Sequence, residues 1–116
     1  MKYGLMIGGL ICVLGAAGCS SNPPLYTDSS TSAIRAAEAV GADQTPRASL
    51  HLQLAKEELD GARSLADEGE TDRAASMLLR AEADAELAIL LSRESTEKLQ
   101  AEQALAQVHK IRNDYR

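Results

Sequence analysis

The sequence has almost no aromatic side chains: phenylalanine and tryptophan are absent, and only three tyrosines occur in 116 residues. Aromatic side chains normally supply the largest buried areas of a core and the surfaces on which sugars and nucleobases stack. Their scarcity argues against both a deep globular core and an aromatic binding platform. The apolar residues that remain are mainly alanine and leucine, which favours closely packed helices in one small domain.

Positive charge is also in short supply. The chain carries 12 lysine and arginine residues against 17 aspartate and glutamate residues, for a formal net charge of −5. Binding to nucleic acid or to anionic lipid by charge requires clustered basic side chains. We therefore expect no nucleic-acid partner and no charge-driven attachment to a membrane.

Cysteine is rare, and both cysteines, Cys12 and Cys19, lie near the start of the chain. A positively charged start, an apolar stretch at 5–14 and small residues at 16–18 form the pattern of a signal peptide over residues 1–18. The apolar stretch is shorter than the ~20 residues that a membrane-spanning helix needs. Cys12 is a poorer candidate for the residue after the cleavage site, because Leu10 and Ile11 stand directly before it where cleavage requires small residues. The alternative is an ordinary secretory signal in which the second cysteine is incidental.

Residues 16–19, Ala-Ala-Gly-Cys, resemble the lipobox of bacterial lipoproteins, with Ala16 where leucine is usual. The resemblance implies a diacylglyceryl group on the sulfur of Cys19, cleavage after Gly18 and acylation of the new amino group. Ser20, in place of aspartate, implies release to the outer membrane, with the body of the protein facing the periplasm. The covalent lipid is then the only expected cofactor, and no thiol is left for a disulfide or a metal site.

Residues 19–32 are mostly serine, threonine, proline and asparagine, which predicts a flexible lipidated tether. The composition changes at residue 33, and residues 33–40 have a helical pattern. Residues 41–45 form a break. Thr45 is a suitable N-cap for the next helix, with Pro46 at the first helical position, where its missing N–H is not needed.

Two alanine- and leucine-rich helices follow, the first over residues 46–68. Gly69 is placed to end it in the left-handed conformation, and Thr71 or Asp72 to cap the second. Their apolar stripes, in steps of three and four, are Leu52, Ala55, Leu59, Ala62 and Ala66, and then Ala74, Leu78, Ala81, Ala85 and Ala88. A short turn makes consecutive helices antiparallel. The predicted fold is all-α: an antiparallel helical hairpin with a short N-terminal helix and a long C-terminal helix.

The C-terminal part of the long helix has a separate pattern. Residues 92–98 are almost wholly polar, which predicts that the helix leaves the hairpin there, with a shift or a break. A second stripe follows at Ala101, Ala104, Val108, Ile111 and Tyr115, with heptad spacing but only two heptads. The expected partner-binding residues are Leu105, Val108, Ile111 and Tyr115. The alternative is that this stripe packs back on the chain's own first helix.

The predicted organisation is therefore a signal peptide at 1–18, a lipidated tether at 19–32 and an α-helical domain at 33–116. Within that domain, residues 33–91 form the hairpin body and residues 92–116 a helical extension.

These features together resemble a family of short bacterial lipoproteins that contain a domain of unknown function, DUF4398. The resemblance is carried by the lipobox, residues 34–41, Pro46-Arg47-Ala48, residues 69–75 and the alanine-rich run to Leu91. It covers about residues 33–91 and implies no established activity.

The residues offer little chemistry. His51 and His109 are predicted on different helices without ligand spacing, and a surface position is favoured for His51. Paired carboxylates such as Glu57 and Glu58 have no predicted apolar pocket to shift a pKa. No serine lies in a nucleophile elbow. We expect no enzyme activity, no metal site and no small-molecule substrate.

Three functions remain. The favoured hypothesis is a lipid-anchored, non-enzymatic scaffold or adaptor in the cell envelope, which binds another envelope protein or a second copy through the extension. The alternatives are a module that binds an envelope polymer such as peptidoglycan, and a chaperone-like lipoprotein that assists assembly.

Overall fold

The computed structural model describes residues 25–116, and over that range the chain is helical, with no strand. Helix α1 spans Asp28–Ala39, a short 3₁₀ turn spans Ala42–Gln44, α2 spans Pro46–Asp67 and α3 spans Thr71–Asp114. Helices α2 and α3 pack side by side over most of the length of α2, and α1 packs mainly on α3. The predicted all-α hairpin is confirmed. The predicted signal peptide, residues 1–18, and the first six residues of the predicted tether, 19–24, lie outside the described residues.

The core is built from alanine, as the stripes predict. The buried apolar residues of the hairpin are Ala48, Leu52, Ala55, Leu59, Ala62, Ala74, Leu78, Ala81, Ala85, Ala88 and Leu91. Small side chains let the two helix backbones approach closely. At Gly61 there is no room for a side chain, because an added Cβ would lie 2.7 Å from Met77 Sδ.

We expect this close approach to make the hairpin intolerant of larger side chains. Ala81→Leu places a leucine at a position with no exposed surface, and overpacking of this kind costs about 1–3 kcal/mol of unfolding free energy. The matched control is Ala75→Leu, because Ala75 is exposed on the same helix. Urea unfolding of both variants measures the effect, and equal stability of the two would show that the interface is loosely packed.

The turn between α2 and α3 follows its predicted chemistry. Gly69 has φ 85°, the left-handed conformation expected of it. The Glu70 N–H donates to the carbonyl of Leu65 at 2.8 Å, which closes α2 with a Schellman arrangement. The predicted cap of α3 was wrong, because Glu70 holds the N-cap position and its side chain makes no capping bond. Thr45 does hold the N-cap position of α2, also without a side-chain bond.

Helix α1 begins at Asp28, five residues before the predicted start, so the last five residues of the predicted tether, 28–32, are helical. A tertiary contact explains the difference: Ser30, which is 2% exposed, donates from Oγ to the carbonyl of Leu78 at 2.9 Å. A serine that reads as tether in the sequence is part of the core in the fold.

Helix α1 lies parallel to α3. Its start is held at Leu78, and its end is held where Ser92 Oγ donates to the carbonyl of Val40 at 2.8 Å. The N-terminus of α1 therefore lies toward the α2–α3 turn, and the C-terminal part of α3 leaves the body at the opposite end.

Candidate functional site

The free C-terminal part of α3 is the most distinctive surface of the described chain. Leu91 and Ser92 are the last buried residues of α3, and from residue 96 to residue 116 every side chain is exposed. Helix α3 is continuous to Asp114, so the break considered at 92–98 does not occur. At ~1.5 Å per residue, residues 93–114 extend about 33 Å beyond the body.

The predicted contact residues all lie on this projecting segment. The exposed fractions are 61% for Leu105, 60% for Val108, 51% for Ile111 and 89% for Tyr115. The alternative, in which this stripe packs back on α1, does not occur in the described residues. The structure thus brings the four side chains to one free helix; their binding role remains a prediction.

Cys19, the predicted lipidation site, lies outside the described residues. Among residues 25–116, no helix is long and apolar enough to cross a membrane.

A cleft lies at the root of the projecting segment, where the start of α2 meets α3. It has a volume of about 310 Å³, and its walls include Pro46, Arg47, Leu91, Glu94 and Lys98. The floor is apolar and the rim carries both signs of charge. Its position next to the free helix makes it a natural continuation of that surface.

A polar cluster between α2 and α3 was missed by the sequence analysis. His51 Nδ1 lies 2.7 Å from Asp84 Oδ1, and Arg80 Nε lies 3.6 Å from Glu58 Oε1. The surface position favoured for His51 is wrong, since its ring is partly buried and bonded across the interface. The sequence does contain one indication of this cluster. Each of the four residues directly precedes a buried apolar residue, so each borders the core stripe of its helix.

Burial raises the pKa of Glu58 above its ordinary value of 4.5, and the negative charge of Asp84 raises it further. The Arg80 guanidinium lowers the pKa, and a hydrogen bond between the protonated Glu58 carboxyl and Asp84 raises it. When Glu58 is ionised, its Oε2 is buried without a hydrogen-bond donor among the described residues. The expectation that no carboxyl at Glu57 and Glu58 has a shifted pKa is therefore wrong for Glu58.

This pKa shift makes stability depend on pH. Because the folded pKa of Glu58 is above the unfolded one, the contribution of Glu58 to folding stability is full below about pH 4.5 and is lost as pH rises through the raised folded pKa. We expect Glu58→Gln to raise the melting temperature by a few degrees at pH 7 and to leave it unchanged at pH 4. Circular dichroism melts at both pH values measure this.

Glu57→Gln is the matched control, because Glu57 is exposed on the same turn and accepts a hydrogen bond from its helical neighbour Gln53. A lower melting temperature for Glu58→Gln at pH 7 would show that the ion pair with Arg80 outweighs the burial of Glu58.

The cluster does not form a metal centre: within residues 25–116, no group of three or more histidine, cysteine, aspartate or glutamate side chains is placed to hold a metal ion.

Comparison with known families gives one match. Residues 26–108 match the family model described as Domain of unknown function (DUF4398). The match covers more than half of the chain. Comparisons with curated proteins and with solved structures give no match. The match begins before α1 and ends within the projecting part of α3, so the family domain includes both the hairpin body and much of the free helix.

Proposed function

The chain belongs to the DUF4398 family, and on that premise we propose that it is a lipid-anchored, non-enzymatic helical scaffold or adaptor for another protein of the cell envelope. The observation that carries the proposal is the free end of α3. A helix that projects from a packed body with large apolar side chains exposed along it is a surface suited to docking another helix.

The proposed anchor is the lipid on Cys19, in the outer membrane, with the body facing the periplasm. Support for it comes from the signal-peptide pattern and the lipobox-like residues 16–19. Two or more acyl chains are enough for stable attachment, because each buried CH₂ contributes ~0.8 kcal/mol.

The topology separates the anchored end from the contact end. The tether joins α1 beside Leu78, and the predicted contact residues lie on α3 beyond Ser92. From Leu78 to Asp114 the helix rises about 54 Å, at ~1.5 Å per residue. An anchored body of this shape can present its apolar end well away from its own attachment point, which suits a scaffold.

The test is crosslinking in intact cell envelopes, followed by affinity purification of the tagged full-length protein. A protein that is captured by the wild type and lost from the double variant Val108→Asp, Ile111→Asp supports the scaffold. Identical sets of crosslinked proteins from the two would contradict it. Binding of both variants to purified sacculi would instead support the polymer-binding alternative.

A further inference from the structure

The outward face of α3 carries a second apolar stripe, which is longer than the sequence analysis recognised. Exposed side chains recur at steps of four and three from residue 83 to residue 115, about four and a half heptads. We name this stripe the outer seam; its members are Ala83, Leu87, Leu90, Glu94, Glu97, Ala101, Ala104, Val108, Ile111 and Tyr115. All ten are exposed.

The outer seam lies on the side of α3 that faces away from the body. At ~100° per residue, its mean direction is about 160° from that of the buried alanine stripe. Within the body, Leu87 is 38% and Leu90 is 61% exposed. A helix could therefore cover the seam along both the body and the projecting segment without disturbing α1 or α2.

We propose that the outer seam is the interface with a second copy of this chain, bound antiparallel. The proposal rests on the proposed function and names the partner for its contact surface. The two glutamates decide the orientation. A parallel pair in register would place Glu94 against Glu94 and Glu97 against Glu97, in adjacent layers of the seam, and such like-charge contacts are strongly unfavourable.

An antiparallel pair avoids this clash in the register that overlaps the two seams along their whole length. In an antiparallel coiled coil, each first position of the heptad faces a fourth position of the partner helix. The layers are then Ala83 with Tyr115, Leu87 with Ile111, Leu90 with Val108, Glu94 with Ala104, and Glu97 with Ala101. Large apolar residues meet apolar residues, and each glutamate faces an alanine, which leaves its carboxylate room to reach water.

The cleft at the root of the projecting segment supports this register. Leu105 borders the seam on the side of α3 that also carries Leu91, which lines the cleft. In the same register Leu105 of the second copy comes beside Leu91, next to Pro46. A leucine side chain therefore meets the cleft at the first turn of α2, which lies within the overlap of the two copies.

Charge supports it as well. The tip of α3 is basic, with Lys110, Arg112 and Arg116 against the single acid Asp114. In the antiparallel register Arg112, which borders the seam, comes beside residues 82–88 of the second copy, which contain three acids and no base; one of these acids, Asp84, also bonds His51 of its own chain. In a parallel pair the two basic tips would lie together.

The arrangement also suits two anchored chains. Each α1 begins toward the α2–α3 turn, so an antiparallel pair has one tether at each outer end and both can reach the same membrane. Anchoring raises the effective concentration of the two chains, so the seam need not bind tightly in dilute solution.

Disulfide trapping of the full-length protein in its membranes tests the register. The variants are Leu90→Cys, Val108→Cys, the double variant with both, and Leu99→Cys as an exposed control on the opposite side of the same helix. Cys19 is present in all four. We expect the double variant to give at least about fivefold more disulfide-linked dimer than any single one, because only it brings two thiols to one layer.

Three results would overturn the proposal. Val108→Cys alone dimerising as well as the double variant would indicate a parallel pair. Leu99→Cys dimerising as well would indicate random collision. A monomer throughout, with helical content unchanged, would exclude self-association through the seam. If another envelope protein were still captured in that case, the scaffold function would stand and only the second-copy inference would fail.

Discussion

Cys19→Ala is expected to abolish acylation of the protein and to remove it from the outer-membrane fraction. The acyl chains of the thioether-linked diacylglyceryl group and of the amide on the amino group are the proposed attachment, and each buried CH₂ contributes ~0.8 kcal/mol. No helix within residues 25–116 could replace them as a membrane span. Metabolic labelling with a palmitate analogue, followed by density fractionation of the envelope, measures both effects.

Cys12→Ala is the matched control, because Cys12 belongs to the proposed signal peptide and not to the mature chain. It should label and fractionate as the wild type does. If Cys19→Ala retained the lipid label, or if Cys12→Ala lost it, the lipobox interpretation of residues 16–19 would be wrong.

The double variant Val108→Asp, Ile111→Asp is expected to lose contact through the extension while keeping its fold and its membrane location. Two carboxylates would then lie where apolar side chains meet a partner, and every 1.4 kcal/mol of lost binding lowers affinity about tenfold. Both positions are exposed and lie beyond Ser92, so the melting temperature should stay within about 2 °C of the wild type. Envelope crosslinking and circular dichroism measure the two effects.

Leu99→Asp is the control for this variant. Leu99 is as exposed as Ile111 but lies on the opposite side of α3, so its crosslinks should match those of the wild type. Loss of crosslinks in both variants would point to a general effect of negative charge on the helix. Crosslinks that persist in both variants would show that the extension is not part of the contact surface.

The parts of the fold that the sequence predicts are those set by local chemistry. Pro46 begins α2, and Gly69 forms the turn that follows α2. Each residue has a backbone preference that depends little on the rest of the fold. The alanine stripes also predict the packed faces, since helical periodicity determines which residues share a side.

The parts that the sequence does not predict depend on contacts between distant residues. Ser30 joins α1 only because Leu78 offers it a carbonyl, 48 residues away. Glu58 and His51 interact with residues of α3, and nothing near them in sequence indicates those neighbours.

The outer seam was hidden for a different reason. In the sequence, Leu87 and Leu90 lie among the alanines of the buried stripe, and periodicity alone does not say which of two apolar sides of a helix is covered. The polar residues 92–98 then divide the seam, so its second part is visible in the sequence only as two isolated heptads.

The most direct test of the anchored scaffold is envelope crosslinking and affinity capture of the full-length protein, with wild type and Cys19→Ala compared by mass spectrometry at equal expression. The account predicts a defined contact, with a second copy or another envelope protein, that depends on the lipid at Cys19. The same crosslinked species at the same level from both proteins would contradict it, because attachment to the membrane would then contribute nothing to what the helix binds.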